Sequence, residues 1–202
     1  MSYHSCGFFV PAIVAVYDTG EAETPAVELP KRKAYERELE QLQIEMLKAQ
    51  LWVKETGERV VILEDTRELQ CAAEDVVALR TKPGVASLAD LVRSTLRLRP
   101  DRIVVGEVRG PEALDMLKAW NTGHPGGVTT VHANSGRGAL LRLEQLVLEA
   151  VLTVPRALIA EAVDLIVFLA GRGAGRRVES LIEVQGLDAG GDYLLKPIAP
   201  PV

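Results

Sequence analysis

Three apolar runs, VVIL at 60–63, IVV at 103–105 and VTTV at 128–131, each end in a residue able to touch phosphate or move a proton. Glu64-Asp65 follows the first run, Gly106-Glu107 the second and His132 the third. Helix signals lie between them. Ser87 with Asp90 resembles a capping box opening a helix to Leu98, which Pro100 stops. Gly110 and Pro111 open a second helix, with Pro at its first position, and Gly123 closes it. Strand, helix, strand, helix, strand favours a parallel sheet with right-handed crossovers, so the chain is predicted to be α/β. Ligands in such sheets bind beyond the carboxyl ends of the strands. Residues far apart in sequence are therefore predicted to share one rim.

The pattern continues with helices over 138–151 and 155–163. Residues 165–170 and 178–184 flank the loop GRGAGRR and read as a C-terminal β-hairpin, and 193–195 as a last short strand. The opening is different. Residues 1–30 combine a short apolar stretch with GEAETPAVELP and read as a poorly structured arm. Over 31–58, Tyr35, Leu39, Leu42, Met46, Ala49 and Val53 recur at spacings of four and three. That spacing predicts an N-terminal amphipathic helix packed on its own domain, with Gly57 as its C-cap.

Composition narrows the function classes. Hydrophobic residues at 48% and charged residues at 25% exclude wholesale disorder. A net charge of -5 gives no support to a protein that coats nucleic acid by neutralising phosphates, and no direct nucleic-acid binding is expected. Cys6 and Cys71 lack metal-ligand spacing and fit a reducing cytosol. The best membrane-span candidate, 8–17, is too short and holds Pro11, and without a basic leader it does not predict a signal peptide.

Each rim residue alone has an ordinary reading. A carboxylate after a strand also serves as a helix cap or a solvated loop residue, and a lone histidine as a hydrogen-bonded structural group. The coincidence over three strands is what favours a site. Arg67 and Arg109 each follow a carboxylate by two residues; guanidinium forks match phosphate oxygens, but they also form plain ion pairs. Arg93, Arg97, Arg99 and Arg102 form a basic patch suited to a partner subunit or to a solvated face. In GHPGGVTTVHAN, Thr130 and His132 lie two apart and share a strand face, where they can position water or sense a terminal phosphate.

These segments resemble the ATPases of type II and type IV secretion, most closely the conjugal-transfer (TrbB-like) branch. ILEDTRELQ at 62–70 is similar to the aspartate box, LRPDRIVVGEVRG at 98–110 to the Walker B segment, and GHPGGVTTVHAN at 123–134 to the histidine box. The resemblance implies a RecA-like P-loop NTPase core over 59–202, ATP and Mg2+ as cofactors, and hydrolysis powering transfer across the bacterial envelope. It implies a homo-oligomeric ring, a hexamer, in the cytoplasm and peripheral at the inner membrane, with secretion or conjugation components as partners. Glu107 would polarise the attacking water and help organise magnesium, and His132 would contact the terminal phosphate. Glu64, Asp65, Arg67, Arg109, His124 and Thr130 would contact the nucleotide or balance its charge.

One family feature is missing. No G-x-x-x-x-G-K-[ST] occurs in the 202 residues, so this core is truncated: it has no Walker A loop to cradle phosphates. Residues 31–63 instead resemble the lead-in to the core of family-2 polyphosphate kinases, which suggests two genes joined at a shared strand. Impaired ATP binding and hydrolysis are therefore expected. The alternatives are a non-catalytic module that joins a ring of full-length subunits, and a fragment of a polyphosphate-dependent nucleotide kinase.

Overall fold

A computed structural model describes residues 13–17, 57–171 and 176–198. They form one eight-stranded sheet in the order β3-β2-β4-β5-β1-β6-β7-β8. The strands are β1 (Ile13–Tyr17), β2 (Arg59–Glu64), β3 (Asp75–Arg80), β4 (Arg102–Val105), β5 (Val128–His132), β6 (Leu165–Ala170), β7 (Arg177–Leu187) and β8 (Tyr193–Ile198). The six strands from β3 to β6 in that order are parallel, and β7 and β8 add antiparallel pairs at one edge. The class is α/β, with a mostly parallel sheet and the C-terminal hairpin that the sequence predicts.

The helices are α1 (Leu88–Thr95), α2 (Glu112–Asn121), α3 (Gly136–Leu148) and α4 (Arg156–Ala162), and a 3-10 turn (Leu96–Leu98) extends α1. The capping box is present: the Ser87 hydroxyl accepts from the Asp90 N–H, and the Asp90 carboxylate accepts from the Ser87 N–H. Pro111 sits one residue before the predicted place, at the N-cap of α2. There the Glu112 carboxylate turns back to accept from the N–H groups of Arg109 and Gly110, both at 2.9 Å.

Val14, Val16, Val61, Leu63, Ile103, Val105, Val131 and Ile166 form the sheet side of the core, against Val92, Met116, Leu117, Leu140 and Leu143 from the helices. At roughly 25 cal/mol per Å² of apolar area, this burial is the main force holding sheet to helices. Gly127 permits the closest approach. A Cβ there would overlap the Trp120 indole, whose Nε1 donates to the Ile103 carbonyl at 3.1 Å.

Two strands depart from the sequence reading. Ile13–Tyr17, assigned to the arm 1–30, is a strand in the middle of the sheet, between β5 and β6. Val14 and Val16 are fully buried there, so burial from both neighbours overrides the linker-like residues that follow. β3 pairs with β2 although its half-exposed residues carry a weaker apolar signal. The rest of 1–30 and the helix predicted over 31–58, up to residue 56, lie outside the described residues.

Candidate functional site

Parallel pairing puts the ends of β2, β4 and β5 on one edge of the sheet. There, Glu64, Asp65, Glu107, Arg109, Thr130 and His132 line a single cavity of about 380 Å³, together with Arg176 from the far side of the Gly/Arg loop. The predicted common rim exists. Arg67 and His124 do not line it. Arg67 is exposed on the loop after β2, and His124 Nδ1 lies 3.2 Å from the Ala119 carbonyl at the end of α2.

Glu107 is the hub of the cavity. One carboxylate oxygen accepts from Arg109 Nη2 at 2.6 Å, and the other lies 3.2 Å from His132 Nε2. A proton on Nε2 makes the second contact a hydrogen bond whether the ring is neutral or charged. The carboxylate is only 22% exposed, against 53% for the imidazole and 67% for the guanidinium. The hydrogen bond to Glu107, followed by the attraction of its charge, pushes Arg109 above its already high ordinary pKa.

Glu64 is buried and already engaged. Its Oε1 accepts from the N–H groups of Glu68 and Leu69, at 3.0 and 2.7 Å, which folds the loop after β2 back over the strand end. Asp65 accepts from the Thr81 hydroxyl at 2.8 Å and so ties the ends of β2 and β3 together. The strand-end carboxylates thus do structural work, as their ordinary reading allows, and also form one wall of the cavity.

Thr130 and His132 share a strand face, as their spacing predicts. The Thr130 hydroxyl donates to the Gly106 carbonyl at 2.6 Å, and its own carbonyl accepts from the Val108 N–H at 3.1 Å. Gly106 N–H donates to the Leu63 carbonyl at 2.8 Å. These three bonds suspend Glu107 between the ends of β2 and β5. Sequence reading missed Gly106 as the anchor, and the Gly-Glu step after an apolar run was the available signal.

The basic patch is not one surface. Arg93 pairs with Asp115 between α1 and α2, while Arg102, with a side chain only 11% exposed, is forked onto Glu58. Arg99 is held in the left-handed region at φ 50°, where the chain turns from the 3-10 helix into β4.

The cavity is electrically unfavourable to a bare polyphosphate. Four carboxylates line it, from Glu64, Asp65, Glu68 and Glu107, against two guanidinium groups, from Arg109 and Arg176. Among the described residues, no group of three or more His, Cys, Asp and Glu side chains could hold a metal ion.

A family model described as "Type II/IV secretion system protein" matches residues 44–172, well over half of the chain. A conjugal transfer protein TrbB from Rhizobium radiobacter is 58% identical over 129 residues, covering 64% of this chain and 40% of that protein. The type IV secretion system protein PtlH of Bordetella pertussis is 37% identical over 148 residues, covering 65% of this chain and 44% of its own. The fold is similar to the crystal structure of the VirB11 ATPase from the Brucella suis type IV secretion system. That likeness has a TM-score of 0.61 at 24% identity and covers 86% of this chain and 48% of the other. The chain thus spans about two fifths of the length of these curated relatives. On the strength of the family match and these identities, the chain belongs to the type II/IV secretion system protein family.

Proposed function

We propose that this chain carries the water-activating half of a secretion-type ATP hydrolase and lacks the half that grips the nucleotide. What supports the reading above all is the Glu107–His132 contact at the carboxyl rim of the sheet, with Arg109 on the other Glu107 oxygen. A carboxylate there can orient water for in-line attack on a terminal phosphate. His132 and Arg109 can meet the charge that spreads onto its oxygens. Magnesium bound with ATP would supply neutralisation of phosphate charge. One Glu107 oxygen accepts from Arg109 and the other lies 3.2 Å from His132 Nε2, and Glu107 would be the residue of this rim to help organise that ion.

The gripping half would follow β1. A phosphate loop links a strand to a helix, and its backbone N–H groups with its lysine hold the phosphates. β1 precedes the aspartate-box strand and ends in register with His132. The sequence that follows Tyr17 is DTGEAETP, with three acids and no lysine before Lys31. Nucleotide affinity is accordingly low, and turnover slow. Arg67 and His124 stay in this proposal as groups that would close on a bound nucleotide. A ring of like subunits at the cytoplasmic face of the inner membrane, coupled to a transfer complex, belongs to the same reading. The relatives matched are conjugal-transfer and secretion proteins, which does not favour the polyphosphate kinase alternative.

The test is ATP turnover at millimolar MgATP. The intact chain should turn over slowly, and Glu107→Gln should lower the rate by about 10²-fold or more, as expected on losing a positioned base. Turnover that is indifferent to Glu107→Gln would remove this rim from the chemistry.

A further inference from the structure

β3 is an outer strand of the sheet, with β2 on one side and no strand on the other among the described residues. Its backbone groups divide by parity. The Thr81 N–H donates to the Glu64 carbonyl at 3.1 Å, so the odd-numbered positions of this stretch turn toward β2. Val76, Ala78 and Arg80 therefore turn their N–H and C=O groups outward. Lys82, next in that series, is already engaged: it exchanges both backbone bonds with Ala86, at 3.0 Å each. The open edge runs from Val76 to Arg80 and has a fixed end.

The two edges of the sheet are built differently. β8, at the other edge, carries Lys196 and Pro197, residue types that discourage a further strand. β3 holds neither Pro nor Lys, and it keeps one register with β2 throughout, without a bulge. Val77 and Leu79 pack on the core, which leaves Val76, Ala78 and Arg80 on the face away from the helices. Glu74, one residue before the strand, continues that series. Glu74 and Arg80 are both exposed, so the edge carries a negative charge at one end and a positive charge at the other.

We infer that β3 is the contact surface for a second copy of this chain, the two β3 strands pairing antiparallel about a twofold axis. Such an axis makes the contact self-complementary, one residue facing its own counterpart at the centre. Centred on Val77, the pairing sets Val76 opposite Ala78 of the second copy and Glu74 opposite Arg80. The hydrogen-bonded pairs then use the outward-turned residues, and each end joins a carboxylate to a guanidinium. Opposite charges across an antiparallel pair stabilise it, and like charges weaken it. Centring on Ala78 instead sets Glu74 opposite Lys82, where Ala86 already pairs, so the bridge excludes that register. A ring uses two different patches on each subunit, whereas this contact uses one patch twice. It pairs two chains and does not close a ring. The strands run antiparallel, so the two rim cavities open at opposite ends of the joined sheet. Nothing in the contact depends on nucleotide chemistry.

Sedimentation of the full chain over a range of concentrations tests it. The mass should rise toward that of two chains as concentration increases. Ala78→Pro removes an outward N–H at a position where an edge strand tolerates proline, so this variant should stay folded and monomeric over the same range. Arg80→Glu and Glu74→Arg each set like charges opposite one another at both ends, and each should weaken association roughly tenfold. Combined, they exchange the charges and should restore it. Both positions are exposed, so these variants decide the matter even where proline disturbs the fold. A chain that stays monomeric at every concentration overturns the inference. Association indifferent to Ala78→Pro in a folded variant, or a combined charge exchange no tighter than the single changes, overturns it equally.

Discussion

The Glu64 carboxylate commits one oxygen to two backbone N–H groups, those of Glu68 and Leu69, from a buried position. Glu64→Ala strands both donors, so it should lower the unfolding free energy by about 1–3 kcal/mol, the usual cost of an unsatisfied buried group. Glu64→Gln, which keeps an acceptor oxygen, should lose much less; urea unfolding of the two variants measures the difference. Gly127 is constrained in the opposite sense, by lack of room. Gly127→Ala drives a methyl group into the Trp120 indole and should cost about 1–3 kcal/mol of overpacking in the same assay. These two residues also mark what sequence can convey at this scale. The carboxylate after a strand was visible, but not its choice of backbone partners, because those are set by how the loop closes. Glycine spacing signalled backbone freedom, while the structure shows that at Gly127 the reason is an indole arriving from α2.

At the scale of elements, β8 is fastened to α3 and α4 by a cluster outside the rim. Arg156 of α4 forks onto Glu144 of α3 and reaches the Gly191 carbonyl beside β8. Tyr193 buries its ring at the start of β8, and its hydroxyl makes no hydrogen bond of ordinary geometry. Burial first, and then the Glu144 carboxylate, push the phenol well above its usual pKa. A phenol with a raised folded-state pKa stabilises the protein fully below its unfolded pKa, about 10, and loses that contribution as pH rises further. Unfolding free energy should therefore fall faster above about pH 10 in the native chain than in Tyr193→Phe, a difference that denaturant titrations across that range would show. Parallel slopes in the two proteins would count against it. The sequence located β8 as a last short strand at 193–195, yet it could not show the fastening, which joins residues far apart in the chain by an ion pair, a hydrogen bond and packing.

Over the whole molecule, the parallel strands β2, β4 and β5, the α1 capping box and the shared rim were legible because each rests on local pattern: apolar runs, capping residues and strand ends. Glu107, His132, Arg109 and Thr130 could be picked out for that reason. β1 was not, since five residues followed by acids and a proline look like a linker until neighbours bury Val14 and Val16 from both sides. Its place matters more than its length. It brings the chain to the carboxyl rim beside His132, where the family resemblance calls for a phosphate loop, and continues with carboxylates instead. On the proposed function, this rim would direct water without holding what the water should attack. Calorimetric titration of the full chain with ATP and magnesium addresses this directly. No saturable heat in the micromolar range is the predicted result, while a micromolar dissociation constant would contradict it, because the 202 residues contain no Walker A pattern to supply the phosphate cradle such binding requires.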